Sequence, residues 1–349
     1  MHTSAEREAR ACRTGVRQAV GVILGLLLAL SLVVMAAGCG SSSPSPETGA
    51  GGAKELPPLR LGVIPVEDNF PFFVAEAEGL FAKNGLKVEL LSFNSARDRD
   101  TALQAGEIDG EVADIVAAAL IRKGGTPVKI VSLTMGLTPA EGRFALLTAP
   151  GSGIDRPADL KGVPVAVSQH TIIDYVAYRL LTGAGLKPEE IKTTNVPAIP
   201  ERLQLLLGGA VQAALLPDPM ATLAEKRGAK VLLDDTQGKD NVSQVVLLFR
   251  EETIAANGEA IARLLDVFAQ AAARVSENPN AYRELFIAKA RVPEDLKDTY
   301  LAPKYSPPAL PRPEEVQAVM DWMVAGGLLE QPYTYEDLVD PAFMSGKKS

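Results

Sequence analysis

A short polar run, Ser168 to Thr171, follows an apolar strand pattern and precedes a helical one. A helix N-terminus offers unpaired backbone N–H groups and a partial positive charge. Ser168 and Thr171 add hydroxyls, Gln169 an amide, and His170 is the only histidine after position 2. This run therefore indicates a site that captures a small polar molecule, although His170 could also be a structural or simply exposed residue.

Polar residues also follow other predicted strands of the chain. Ligands of open α/β sheets bind beyond the carboxyl ends of the strands, so these positions predict one common site. Asn69 and Asp114 have the alternative role of capping the helices that follow them, and Asp218 has the alternative roles of forming a turn and of capping. The complete set of predicted ligand contacts is Asn69, Phe70, Asn94, Ser95, Asp114, Ser168, Gln169, His170, Thr171 and Asp218.

The charges near this predicted site are mainly negative. The carboxylates are Glu67, Asp68, Asp114 and Asp218, and Arg97 is the only cation that the sequence places among them. A fully ionised inorganic anion would face unpaired carboxylates there. A neutral or zwitterionic organic molecule, such as a pyrimidine or an amino-sulfonate, is therefore expected.

No residue pattern indicates catalysis. The chain has two cysteines, Cys12 and Cys39, and no Cys/His cluster with metal-ligand spacing. A Ser-His-Asp set cannot be argued from one histidine without geometry, and no phosphate-binding glycine loop is present. We therefore expect no catalytic residue, metal or cofactor, and no enzyme activity.

The elements that must position these residues occur twice along the chain. Strands alternate with helices, which is typical of mostly parallel sheets with helices on both faces. Glycines end corresponding helices in the two passes, at 85 and 185, 106 and 209, and 125 and 228. The predicted strands are 59–66, 87–93, 108–113 and 128–135 in the first pass, and 163–168, 191–196, 211–216 and 230–235 in the second.

Two further extended segments, 143–150 and 242–250, are predicted to be crossover strands that form a hinge between two lobes. Residues 58–145 and 243–349 would form the first lobe, and residues 146–242 the second. The part after 251 has helical patterns, including 261–275 and 313–328, and is expected to pack on the first lobe.

The N-terminal segment indicates export. Four arginines precede an apolar run over 19–37, and small residues lead to Cys39. The sequence Ala36-Ala37-Gly38-Cys39 resembles a bacterial lipobox, which implies removal of residues 1–38 and a palmitate-type lipid on Cys39. An uncleaved membrane anchor is the alternative, since about 20 apolar residues span a bilayer. Residues 39–57, rich in Gly, Ser and Pro, would be a flexible tether.

The composition is that of a globular protein with room for two domains. The chain has 349 residues, 47% hydrophobic and 22% charged, with a formal net charge of −8. Nucleic-acid binding needs a basic surface, so this acidic chain is not expected to bind nucleic acid. Attachment to an anionic membrane through a basic surface is excluded for the same reason.

Four stretches carry a resemblance to a known family. The chain resembles the nitrate/sulfonate/taurine and thiamine-precursor binding proteins of ABC importers, related in fold to yeast pyrimidine synthases. Gln212 stands where that family often has Asp. The stretches are PFFVAEAEGLFAKNGLKVEL (71–90), TALQAGEIDGEVAD (101–114), DLKGVPVAVSQHT (159–171) and LGGAVQAALLPDPMATLAEKRGA (207–229).

The resemblance implies a two-lobed α/β fold of the type II periplasmic-binding-protein class. It also implies a monomeric, extracytoplasmic protein that closes around a small nitrogen- or sulfur-containing molecule and delivers it to importer permease and ATPase subunits. A ligand-sensing subunit for a signalling kinase is the first alternative. A pyrimidine-synthase-like enzyme is a second, although the yeast-like relatives use a cysteine-rich stretch that the body of this chain lacks.

Overall fold

The computed structural model describes residues 56–344. The predicted signal segment, Cys39 and nearly all of the predicted tether lie outside these residues. Among the described helices, none has both the length and the apolar character needed to cross a bilayer.

Ten strands form two separate five-stranded sheets. The strands are β1 (Leu59–Val63), β2 (Val88–Ser92), β3 (Gly110–Asp114), β4 (Val128–Met135), β5 (Phe144–Thr148), β6 (Pro164–Val167), β7 (Lys192–Asn195), β8 (Ala213–Pro217), β9 (Lys230–Asp234) and β10 (Val245–Arg250). The first sheet has the order β2-β1-β3-β10-β4, and the second has the order β7-β6-β8-β5-β9.

The two sheets repeat one topology. In each sheet the first three strands are parallel, and one antiparallel strand pairs with both the third and the last. That antiparallel strand is β10 in the first sheet and β5 in the second, so each half of the chain contributes one strand to the other half's sheet. The prediction of a duplicated, two-lobed α/β fold is confirmed. The lobe boundaries given above remain a prediction.

The strand-to-helix boundaries follow from local chemistry. We predicted that the first strand runs to residue 66, but β1 ends at Val63. Pro65 has no N–H to donate to the sheet, and the N–H of Val66 donates to the carbonyl of Ile64 at 2.8 Å in a tight turn. Residues 70–83 form two helices rather than one, because Gly79 between them has a left-handed φ of +66°.

Eleven helices are present in the described part of the chain. They are α1 (Phe70–Ala77), α2 (Leu80–Lys83), α3 (Ala96–Gln104), α4 (Ile115–Lys123), α5 (Ile172–Gly183), α6 (Ile199–Leu207), α7 (Met220–Lys226), α8 (Glu251–Glu277), α9 (Arg283–Lys289), α10 (Pro313–Ala325) and α11 (Tyr335–Leu338). Short 3₁₀ turns, including Glu67–Asn69, complete the connections.

The helical tail packs on the first sheet. An aromatic pair joins α1 to the tail: the ring centroid of Phe72 in α1 lies 5.1 Å from that of Phe268 in α8. At the edge of the sheet, Val339 and Ala309 form bridges with β4. The tail therefore completes the core around the first sheet.

The two segments that cross between the sheets, 136–143 and 235–244, lie against each other. The Asn241 side chain donates to the carbonyl of Thr138 at 3.2 Å, and the N–H of Phe144 donates to Asp235 at 2.8 Å. Gly136 adopts a φ of +91°, and a Cβ built there would lie 3.0 Å from the Cα of Gln244. The chain thus passes between its two sheets through one tightly packed double crossing.

Candidate ligand-binding cleft

Segments that follow the carboxyl ends of strands in the two sheets come close to each other. Helix α4 begins after β3 and helix α5 begins shortly after β6, and these two helices are in contact. Ile172, the first residue of α5, packs on the apolar cluster that contains Ile115 and Val116 of α4. Tyr175 of α5 also meets Trp322 of the tail, with ring centroids 5.4 Å apart. The predicted sites at the starts of α4 and α5 therefore lie at one junction.

Two predicted ligand residues of the first lobe are helix caps. The carboxylate of Asp114 accepts from the N–H of Ala117 at 2.8 Å, and the hydroxyl of Ser95 accepts from the N–H of Asp98 at 3.2 Å. Burial raises the pKa of Asp114 to about 6. Asn94 is exposed, and its side-chain oxygen accepts from Arg291 at 3.1 Å.

Asn69 and Phe70 lie deeper than expected from the sequence. Asn69 precedes α1, but its side chain makes no capping hydrogen bond. Its Nδ2 donates to Asp68 at 2.6 Å, whereas its buried Oδ1 has no hydrogen-bond partner among the described residues. Phe70 is fully buried against Phe286 at 4.8 Å, so that its ring belongs to the core beneath the junction.

The four consecutive residues of the second lobe form a polar turn. Thr171 caps α5 by accepting from the N–H of Ile173 at 3.2 Å, and it donates to the carbonyl of Ser168 at 2.7 Å. The Gln169 side chain donates to Thr193 at 3.0 Å. His170 is exposed and has a left-handed φ of +63°, which for a residue with a Cβ is uncommon. Its imidazole is therefore on the surface of this turn.

Asp218, in the second lobe, is near enough to Glu67 of the first lobe for their charges to interact, and we call this region the lobe contact. Its carboxylate accepts from both the N–H and the hydroxyl of Thr222 at 2.9 Å. Glu67, from the first lobe, is 5% exposed. Burial first, and then the neighbouring charge of Asp218, raise the pKa of Glu67 well above its ordinary value. Tyr300 donates to the Glu67 carboxylate and Tyr305 to its carbonyl, each at 2.6 Å.

The cations near these carboxylates were not those named from the sequence. Arg97 is exposed. The buried Arg99 instead donates to the carbonyl of Val112 at 2.7 Å and pairs with Asp100 at 2.7 Å. Just before β5 of the second sheet, Arg143 contacts three carboxylates, those of Asp218 at 3.7 Å, Glu225 at 2.6 Å and Asp234 at 2.5 Å.

The internal repeat was the signal that could have identified Arg99. Arg202 occupies the corresponding helix of the second lobe and donates to the carbonyl of Leu215 at 2.8 Å, the equivalent of Val112. No sequence signal indicated that Tyr300 and Tyr305 donate hydrogen bonds to Glu67, because both lie in the tail, far along the chain from Glu67.

The two concavities that the described surface shows most clearly lie elsewhere. One of about 490 Å³ is lined by residues between 58 and 89, and one of about 440 Å³ by residues around 122 and 329–337. Neither is lined by a predicted ligand residue. Within residues 56–344, no group of three or more His, Cys, Asp and Glu side chains has the arrangement of a metal site.

The cap at Asp114 leads to a testable prediction. Asp114→Ala should lower the free energy of unfolding by about 1 kcal/mol, because the N–H of Ala117 loses its acceptor. Asp114→Asn keeps a capping oxygen and should cost much less. Chemical denaturation of the ligand-free protein at pH 7 measures both values.

The same pair of variants separates the charge from the cap. The pKa of Asp114 is raised in the folded protein to about 6. Its contribution to stability is therefore complete below the unfolded pKa and is lost as pH rises through 6. Asp114→Asn should remove this part of the pH dependence, and an unchanged pH profile would contradict the assignment.

Comparison with known proteins places the chain in a family. Residues 52–288 match the sequence profile of the NMT1-like family. The chain belongs to the NMT1-like family. This confirms the resemblance seen in the four sequence stretches.

Similar proteins include binding proteins and one enzyme. A putative ABC transporter periplasmic binding protein of Brachyspira hyodysenteriae is 25% identical over 281 residues, 76% of each chain. The periplasmic aliphatic sulphonate binding protein SsuA of Escherichia coli is 21% identical, with a TM-score of 0.70 over 83% of this chain and all of that one. The desulfurization enzyme DszB is 14% identical, with a TM-score of 0.61 over 82% of this chain and 98% of that one.

Proposed function

We propose that this NMT1-like protein is the solute-binding component of an ABC importer. Residues 58–145 with 243–349 would form one lobe, and residues 146–242 the other. The observation that carries the proposal is that segments after strand ends of the two sheets come close to each other, with a double crossing between the sheets. Such a molecule can alternate between open and closed states, and a ligand that contacts both lobes favours the closed one.

The proposed ligand contacts come from both lobes. His170, exposed at the start of α5, would supply an imidazole, and the turn that begins at Ser168 would supply hydroxyl and amide groups. From the first lobe the contacts would be Asn69, Asn94, Ser95 and Asp114, with Phe70 supporting them from the core. Asp218, close to Glu67, would complete the set at the lobe contact.

We also propose that the protein acts outside the cytoplasm. The basic and apolar N-terminal pattern and the lipobox-like Cys39 support export and a lipid anchor on the cell membrane. The permease and ATPase subunits of the importer would be its partners, and it would act as a monomer. A sensor for a receptor kinase is the alternative that shares the same ligand site.

A non-catalytic role is part of the proposal, although a desulfurization enzyme shares the fold. The sequence has no cysteine after Cys39 and a single histidine, His170, in the body of the chain. A thiol or a histidine pair is therefore not available for nucleophilic or acid–base chemistry of the kinds considered above.

The test is a thermal-shift screen of the full-length protein in detergent. The compounds are sulfonates, nitrate, pyrimidines and amino acids. A ligand present at about 100 times its dissociation constant should add about 2.7 kcal/mol of stability. His170→Ala should weaken the binding of any hit without changing the ligand-free melting temperature. If no compound in these classes stabilises the protein, the proposal is wrong.

A further inference from the structure

The contact between the lobes contains more hydrogen-bond acceptors than donors. Within the described part of the chain, the Glu67 carboxylate receives a hydrogen bond at one oxygen only, at Oε2 from Tyr300. Asn69 lies two residues further along the same turn. Its Oδ1 is buried and has no hydrogen-bond partner within residues 56–344. An amide flip would not relieve this, because it would set Oδ1 against the Asp68 carboxylate that Nδ2 now contacts at 2.6 Å.

The protein's own donors near this contact are already engaged. The hydroxyls of Tyr300 and Tyr305 both donate to Glu67. Burial and the nearby Glu67 raise the pKa of Tyr300 far above its ordinary value, so its hydroxyl stays protonated. Arg143 lies between Glu225 and Asp234 and is 3.7 Å from Asp218. A buried acceptor without a donor costs about 1 to 3 kcal/mol, so a donor supplied from outside would be favoured.

On the basis of the proposed function, we propose that the cleft recognises the cationic, N–H-bearing end of an organic ligand through Glu67, Asn69 and Asp218. An ammonium has three donors and no acceptor. An amidinium or a protonated aminopyrimidine likewise has more donors than acceptors. Such a group would satisfy the Asn69 oxygen and lie between the two carboxylates. Nitrate or a simple sulfonate has only acceptors and would supply a donor to none of the three groups.

A proton takes the place of this cation in the ligand-free protein. The ionisable groups that face Glu67 are the carboxyls Asp68, Asp218 and Asp235 and the phenols of Tyr300 and Tyr305. None of them is a cation, and burial together with these carboxylates favours the neutral form of Glu67. When an ammonium enters, Glu67 becomes the carboxylate and its proton passes to the buffer. Binding should therefore release close to one proton.

The experiment compares ligands that differ only in the amino group. The pairs are 2-aminoethanesulfonate and ethanesulfonate, 4-aminobutyrate and butyrate, and 4-aminopyrimidine and pyrimidine. Titration calorimetry on the full-length protein in detergent, in two buffers of different ionisation enthalpy, gives the affinity and the number of protons released. We expect an amino member to bind at least about tenfold more tightly than its partner. The two alkylammonium ligands are already protonated at pH 7 and should release the Glu67 proton to the buffer, whereas 4-aminopyrimidine, which is largely neutral at pH 7, should take up that proton and release none.

Glu67→Gln tests the residue itself. The glutamine keeps an acceptor for Tyr300 but has neither charge nor proton to release, so amino ligands should lose about tenfold or more in affinity and the proton release should disappear. Glu78→Gln is the matched control, because Glu78 likewise accepts from a tyrosine, Tyr282, at 2.6 Å but lies outside the cleft. The control should bind as the unmodified protein does.

The outcomes distinguish this proposal from the proposed function. If an unsubstituted sulfonate, butyrate or pyrimidine binds as tightly as its amino partner, recognition of the cation is wrong while solute binding stands. Unchanged binding and proton release in Glu67→Gln would also overturn it. If no amino member binds, this proposal is wrong, and if the wider screen is empty as well, the proposed function is wrong too.

Discussion

Replacement of Arg143 by Met is expected to lower the free energy of unfolding by about 3 kcal/mol. The side chain is one-fifth exposed and lies among the carboxylates of Asp218, Glu225 and Asp234. Without the guanidinium, partly buried negative charges remain next to one another. Methionine fills a similar volume, so the loss should report the missing charge more than a cavity.

The matched control for Arg143 is Arg156→Met. The Arg156 side chain is 76% exposed, and among the described residues it forms an ion pair with Asp159 alone, at 3.0 Å. Exposed pairs contribute little, so this variant should change the free energy of unfolding by less than about 0.5 kcal/mol. Urea denaturation at pH 7 measures both. Equal effects of the two substitutions would show that Arg143 does not stabilise the junction.

The second large effect is expected at the double crossing. Gly136→Ala should lower the free energy of unfolding by about 3 kcal/mol. Gly136 has a φ of +91°, and an added Cβ would approach the Cα of Gln244 to 3.0 Å and the Asn241 side chain to 3.1 Å. The substitution therefore adds backbone strain and forces one crossing segment away from the other.

Gly151→Ala separates these two causes. Gly151 has a similar left-handed φ of +74°, but a Cβ there would meet no atom within 4 Å. It should cost about 1 kcal/mol, which is the conformational part alone. Because the crossing connects the lobes, Gly136→Ala should also change the affinity for any ligand found in the screen, and Gly151→Ala should not. Thermal melts and titrations of both variants test this, and equal losses would exclude close packing as the cause.

The double crossing and the lobe contact have a common consequence for closure. Glu67 and Asp218 come from different lobes, and Asp235 joins the crossing to the start of β5 through Phe144 at 2.8 Å. A change of charge at this contact therefore acts on the same region that allows the lobes to move. Ligand charge and lobe closure are expected to be coupled for this reason.

Much of the architecture could be predicted because its determinants are local. Apolar runs separated by helical patterns indicate strands and helices, and helix-ending glycines such as Gly106 and Gly209 take left-handed φ values of +76° and +72°. The two extended segments were expected to cross between lobes, and they contain β5 and β10. Even the error at the first strand was local, since Pro65 stops the ladder.

Local sequence is enough to predict the duplicated strand and helix pattern, the positions of the polar turns after the strands, and the capping of α4 by Asp114. Each of these depends on residues within four positions of one another. The tertiary structure alone decided that Asn69 is buried without a cap, that Phe70 belongs to the core, and that Arg143 lies among three carboxylates.

The partners of Glu67 illustrate the physical reason. Its carboxylate meets Tyr300 from 233 positions away and lies near Asp218 of the other lobe. Such pairings depend on how whole sheets and the tail pack, and the free energy of a buried charge depends on everything around it. The kind of molecule that the cleft accepts is therefore set by contacts that the order of residues along the chain does not reveal.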